Sequence, residues 1–107
     1  MKYLVTALLF FSTLLFAEDD KRVDCILLED ENSIICKYMT PRVDFEKTVT
    51  IQWLDPNNEV SRERVMIIPS FHGSIYDYRY LQGRLKGTWT FKVIDEQETY
   101  TTQFNIE

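Results

Sequence analysis

Between residues 48 and 53 every second side chain is apolar: Val49, Ile51 and Trp53 alternate with Thr48, Thr50 and Gln52. The same two-residue period returns at 87–94, where Trp89, Phe91 and Val93 share one side, and again at 99–106. Successive side chains of an extended strand point to opposite faces, so this pattern buries one face of a sheet and wets the other. Helical periodicity is scarce along the chain. Further runs at 23–28, 34–39, 59–68 and 74–81 complete seven expected strands. On the fourth, Val65 and Ile67 face one way, while Arg62 and Arg64 face the other and point off the strand; Pro69 stops it. After the third strand, Asp55-Pro56-Asn57-Asn58 specifies a β-turn, because Pro presets φ and the Asp and Asn side chains bond their own backbone. Seven short strands, each with one apolar face, predict an all-β fold: a seven-stranded antiparallel β-sandwich.

The alternation also sets two hairpin registers. A loop centred on Asp30-Glu31 places Cys25 opposite Cys36, Leu27 opposite Ile34 and Val23 opposite Tyr38, with Asp24 facing Lys37 on the other side. A loop centred on Glu96-Gln97 places Trp89 opposite Phe104, Phe91 opposite Thr102 and Val93 opposite Tyr100. Slipping either by one residue would move its apolar set to the wet face. The expected core is Trp53, Trp89, Phe91, Phe104, Val49, Ile51 and Val93.

Upstream of the strands, Met1 and Lys2 precede an almost wholly apolar stretch over 3–16; Ala17 and the polar run Glu18-Asp19-Asp20-Lys21-Arg22 follow. This is the pattern of a secretory signal peptide over 1–17, too short for a membrane span of about 20 residues. Residues 18–107 are then a single domain that is exported, either periplasmic or secreted. Glu18, not Cys, stands directly after Ala17, which argues against a lipid anchor. An oxidising compartment permits the one available pairing, a Cys25–Cys36 disulfide across the first hairpin. Closing a loop of this size stabilises by about 2.5–3 kcal/mol on the chain-entropy account. Ten residues separate the two Cys, so this is not the Cys-x-x-Cys spacing of a redox pair.

Several chemistries are disfavoured. A net charge of −5 argues against nucleic acid. One His and two Cys leave little room for a structural zinc site. His72 lies in Ser70-Phe71-His72-Gly73-Ser74. The two Ser are too near it in sequence to build a triad, and no Gly-x-Ser-x-Gly elbow exists. That segment is expected to be a turn in which Gly73 takes a positive φ. The carboxylate clusters Glu18-Asp19-Asp20, Glu29-Asp30-Glu31 and Asp95-Glu96-Gln97-Glu98 lack the calcium-loop pattern and read as solvated charge. No catalytic residue, metal ligand or cofactor is assigned, and no enzyme activity is expected.

The segment Leu85-Lys86-Gly87-Thr88-Trp89-Thr90-Phe91-Lys92-Val93-Ile94-Asp95, closed by Phe104-Asn105-Ile106, resembles the final hairpin of small immunoglobulin-like β-sandwich domains of exported bacterial proteins. Trp53 stands where immunoglobulin-like folds often bury a Trp. The resemblance implies an immunoglobulin-like sandwich and a non-catalytic role. The chain departs from the antibody pattern: its sixth strand has neither a Cys for an inter-sheet disulfide nor a Tyr for a tyrosine corner. It would therefore be a variant with an N-terminal hairpin disulfide.

One strand reads in two ways: as a half-buried strand whose Tyr hydroxyls reach the rim, or as a contact surface. At 74–81, Tyr76, Tyr78 and Tyr80 line one face, and Ile75, Asp77, Arg79 and Leu81 the other. Tyr and Arg are enriched where interfaces are strongest. With Arg62, Arg64 and Arg84 nearby, they would form a basic, aromatic patch on an acidic protein, suited to an acidic protein partner. The expected binding residues are Tyr76, Tyr78, Arg79 and Tyr80. The alternative function is inhibition of an enzyme by the 71–74 loop.

Overall fold

The computed structural model describes residues 22–107; the expected signal peptide at 1–17 lies outside the described residues. Seven strands follow in order: β1 (Val23–Leu28), β2 (Ser33–Met39), β3 (Lys47–Leu54), β4 (Val60–Ile68), β5 (Ser74–Tyr80), β6 (Gly87–Asp95) and β7 (Glu98–Ile106). A single 3-10 turn at Glu29–Glu31 joins β1 to β2. All pairings are antiparallel. They form a three-stranded sheet of order β1-β2-β5 and a four-stranded sheet of order β4-β3-β6-β7.

Both hairpin registers follow the alternation. Cys25 faces Cys36 and Asp24 faces Lys37 in the first; Trp89 faces Phe104 and Val93 faces Tyr100 in the last. Neither loop carries Asn-Gly, so other residues take the left-handed backbone, Asn32 (φ 54°) in the first and Glu96 (φ 59°) in the second. The turn after β3 forms as its residues dictate. Asp55 accepts from the Asn57 and Glu59 N–H groups through Oδ1, at 2.8 and 3.0 Å, and from the Asn58 N–H through its carbonyl.

The inner faces of the two sheets make one core. Val49, Ile51, Trp53, Trp89, Phe91, Val93 and Phe104 are all buried there, with Ile34, Cys36 and Tyr38 from the facing sheet. Trp53 packs edge-on to Phe91 and Phe104, and Trp89 stacks on Phe104. Edge and offset contacts of this kind suit the ring quadrupoles. The Cys25–Cys36 disulfide lies inside the three-stranded sheet, between directly paired residues.

Two expectations are corrected. Arg62 and Arg64 leave β4 opposite Val65 and Ile67 as expected, but on the side toward the facing sheet, where their side chains remain 36% and 50% exposed at the sandwich edge. Pairing with β3 sets Arg62 beside Trp53, Arg64 beside Ile51 and Met66 beside Val49, so the arginines share the inward file, while Val65 and Ile67 are exposed. Met66 packs against the core and Ile68 is buried in it, and they hold the file inward. The arginines are tolerated there because a carboxylate meets them, as described below. At 70–74 the positive φ belongs to Phe71 (67°), not Gly73. Gly73 is required for closeness instead: a Cβ there would lie 3.2 Å from the Thr40 carbonyl oxygen and 3.3 Å from Arg42 Cγ.

Candidate functional site

β4 ends one sheet and β5 ends the other. The two edge strands do not pair; side chains bridge them. Asp77 of β5 is the centre of that bridge, only 5% exposed. Register with β2 sets Asp77 beside Cys36 and Arg79 beside Ile34, on the inward file. Asp77 accepts the Trp53 indole N–H at 3.0 Å, Arg64 Nη1 at 2.7 Å and Arg62 Nη1 at 3.1 Å. A buried carboxylate persists when donors surround it in this way.

Arg79 lies against the same tryptophan, its Cζ 5.5 Å from the ring centroid. This is cation–π range. It donates to Ser61 Oγ at 3.0 Å. Arg84 sits in the turn after β5, where its N–H bonds the Leu81 carbonyl. Its Nε is buried and has no hydrogen-bond partner among the described residues. Arg62, Arg64, Arg79 and Arg84 line a cleft of about 330 Å³, together with Asp77, Tyr78 and Tyr80. Four guanidinium groups thus surround one carboxylate on a protein of net charge −5. Burial first, then the neighbouring Arg84 and Arg62, push the Arg79 guanidinium down to about 10, which leaves it charged at neutral pH.

The outward file of β5 carries Tyr76, Tyr78 and Tyr80, which are 62%, 54% and 60% exposed. Tyr78 and Tyr80 meet edge to face with centroids 6.5 Å apart. Across the sheet, Tyr78 is paired with Ile35, and Ile35 with the exposed Ile26. Tyr76 is paired with Lys37, and Lys37 with Asp24. The three-stranded sheet therefore shows solvent an aromatic and aliphatic face. The outward files of β3 and β6 hold Thr48, Thr50, Gln52, Leu54, Thr88, Thr90, Lys92 and Ile94, and β4 adds the exposed Val65 and Ile67, so among the described residues this face has aliphatic side chains but no tyrosine file.

The three tyrosines expected at the site share one face. Arg79 lies on the opposite file, and it meets Tyr78 and Tyr80 only at the cleft, which Tyr76 does not line. Arg62, Arg64 and Arg84 do gather with Arg79, but through the sandwich edge rather than the outer surface. Sequence reasoning did not single out Asp77 as the anchor or the Trp53 indole as its donor. The available signal was a lone carboxylate in an otherwise inward file with Ile75 and Leu81, matched by two alternating arginines on β4.

A second buried carboxylate is structural. Asp95 accepts the Tyr38 hydroxyl at 2.7 Å and pairs with Lys47 Nζ at 2.8 Å, tying the sheets together elsewhere in the core. In the 69–73 loop, the Phe71 N–H bonds the Val43 carbonyl, Arg42 donates to the Phe71 carbonyl, and the Thr40 N–H bonds the Gly73 carbonyl. His72 Nδ1 lies 3.1 Å from the Ser70 carbonyl oxygen, a local turn contact. Among the described residues no group of three or more His, Cys, Asp or Glu is placed to hold a metal ion.

No protein-family model matches the chain, and no curated protein matches it. The functional reading therefore rests on the geometry alone.

Proposed function

We propose that the protein is a non-catalytic, exported binding module with an immunoglobulin-like sandwich fold, and that it docks a protein partner on the tyrosine face of β1, β2 and β5. The strand grouping supports the fold assignment. As in constant-type immunoglobulin domains, the first, second and fifth strands share one sheet and the third, sixth and seventh the other. The fourth strand differs, since it pairs with the third in the second sheet. Export is supported by the leader pattern at 1–17, and a disulfide in so small a domain is compatible with it.

The observation that carries the binding reading is the exposed file Tyr76, Tyr78 and Tyr80 beside Ile26 and Ile35. Contiguous apolar exposure of this kind marks contact surfaces, and Tyr supplies large area with few rotors. Arg79 at the strand edge adds positive charge for an acidic partner. The test is site-specific photocrosslinking in the exporting cell, with the photoreactive residue at position 78 or, on the opposite outer face, at 103. The reading expects one dominant adduct from 78, absent from 103 and lost on Tyr76→Ala. Equal adducts from both positions, or none from 78, overturn it.

Inhibition of an enzyme by the 71–74 loop is the second reading. Phe71 favours it: a bulky, exposed side chain on a left-handed backbone is an outlier, and such outliers cluster at functional sites.

A further inference from the structure

We infer that the arginine cleft between β4 and β5 is a binding site for a tetrahedral dianion, a phosphate group carried as a monoester by a small ligand. The cleft shares Tyr78, Tyr80 and Arg79 with the docking face, but the inference needs no protein partner, because the cleft opens at the sandwich edge and is read with small anions alone.

The charge distribution is the first argument. Asp77 already takes Arg62 and Arg64 as ion-pair partners. Among the described residues, neither Arg79 nor Arg84 has a carboxylate within ion-pair distance. Four guanidinium groups against one carboxylate leave three positive charges in excess in a partly buried site. A dianion offsets two of the three, whereas a monoanion offsets one.

The second argument is the orphan donor. Arg84 Nε is buried without an acceptor, and buried polar groups that lack a partner are rare. That atom is closed to water, so an oxyanion in the cleft would reach it only with a shift of the Arg84 side chain. The planar fork of Arg matches phosphate and sulfate oxygens two at a time.

Shape is the third. The cleft volume of about 330 Å³ lies at the small end of ligand pockets. It has room for one oxyanion and a compact body lying against Tyr78 and Tyr80. Its floor is rigid, because Asp77 and Trp53 fix each other and so fix the arginines above them.

The test follows the two indole N–H resonances of the full chain by NMR. Inorganic phosphate, inorganic sulfate, a sugar phosphate, a sulfated monosaccharide, acetate and chloride are titrated at matched ionic strength. The Trp53 indole lies under the cleft, and the Trp89 indole bonds the Leu85 carbonyl away from it. A saturable shift of Trp53, but not Trp89, with phosphate or sulfate is expected. The sulfated monosaccharide, a monoanionic ester, should bind more weakly than the sugar phosphate, and equal or tighter binding of the sulfated sugar would overturn the inference. Arg79→Gln and Arg84→Gln should each weaken binding at least tenfold, and Lys92→Gln should leave it unchanged. A Trp53 response to acetate as strong as to the dianions would overturn the inference and point to an acidic side chain as occupant. A response equal to that of chloride, or none, also overturns it. These readings come from the unsubstituted chain, so they stand even where a variant fails to fold.

Discussion

The indole Nε1 of Trp53, on β3, donates to the carboxylate of Asp77, on β5, across the interior of the sandwich at 3.0 Å. This one bond couples the core to the edge cleft. Trp53 packs on Phe91 and Phe104 on one side and carries Arg79 over its ring on the other. The arginines are therefore positioned by the same residue that fills the core.

Removing the Asp77 carboxylate strands the indole N–H, while Arg62 and Arg64, with side chains 36% and 50% exposed, can turn to water. Asp77→Ala should destabilise by about 1–3 kcal/mol, the range for a buried donor left without its acceptor. Asp77→Asn keeps an acceptor for the indole and should cost distinctly less. Urea denaturation of both variants gives the comparison, and equal losses would show that the indole bond contributes nothing.

Trp89 is buried, stacked on Phe104 and bonded to the Leu85 carbonyl. Trp89→Ala should cost about 3–5 kcal/mol, enough to unfold a domain of ordinary marginal stability. Far-UV circular dichroism on heating measures it. An unchanged melting temperature would contradict the packing.

These two sites differ in how far the sequence reveals them. Trp89 and its hairpin partner Phe104 are separated by a short loop, so alternation alone sets their register and their inward direction. The same holds for Cys25 and Cys36. Asp77 meets Trp53, Arg62 and Arg64 across the gap between sheets, and strand periodicity carries no information about which inward residues face each other there. For β4, alternation separates Arg62 and Arg64 from Val65 and Ile67 correctly, but it does not say which file is inside. That depends on a buried carboxylate from another sheet. Phe71 was hidden for a related reason: Gly73 is the obvious residue for a positive φ, yet the tight approach of the Thr40 carbonyl takes it for another purpose.

Tyr38 gives a pH dependence with a definite sign. Burial, reinforced by the hydrogen bond to Asp95, raises its pKa from 10.0 to about 12. The fold thus favours the neutral phenol. This stabilisation is complete below pH 10 and is lost as pH rises from about 10 to about 12, where the unfolded chain ionises first. Unfolding free energies at pH 9 and pH 11 should fall further for the unsubstituted protein than for Tyr38→Phe. Identical declines would remove Tyr38 as the cause.

The disulfide is closed and internal to one sheet. Alkylation of the unfolded, unreduced chain should add no adducts by mass. Reduction should lower stability by about 2.5–3 kcal/mol. Two adducts without reductant would refute the pairing.

Phe71 holds its left-handed backbone through bonds to Val43 and Arg42. Asn tolerates that conformation better than other non-glycine residues, so Phe71→Asn should stabilise by about 1 kcal/mol relative to Phe71→Ala. Differential scanning calorimetry of the pair provides the measurement, and equal melting temperatures would mean that the position carries no strain. If the loop is an inhibitory element, both variants lose inhibition while only Phe71→Ala retains the strain.

Strand exchange between copies of a domain usually begins with a terminal strand that can leave as a unit. Here the Cys25–Cys36 bond fastens β1 to β2, so β1 cannot depart alone, and exchange at that end would have to carry a whole hairpin. At the other end β7 is an edge strand held by its ladder to β6 and by its core side chains, with no covalent tie. The disulfide thus closes β1 to single-strand exchange, while among the described residues no covalent bond fastens the opposite edge strand β7 to its neighbour.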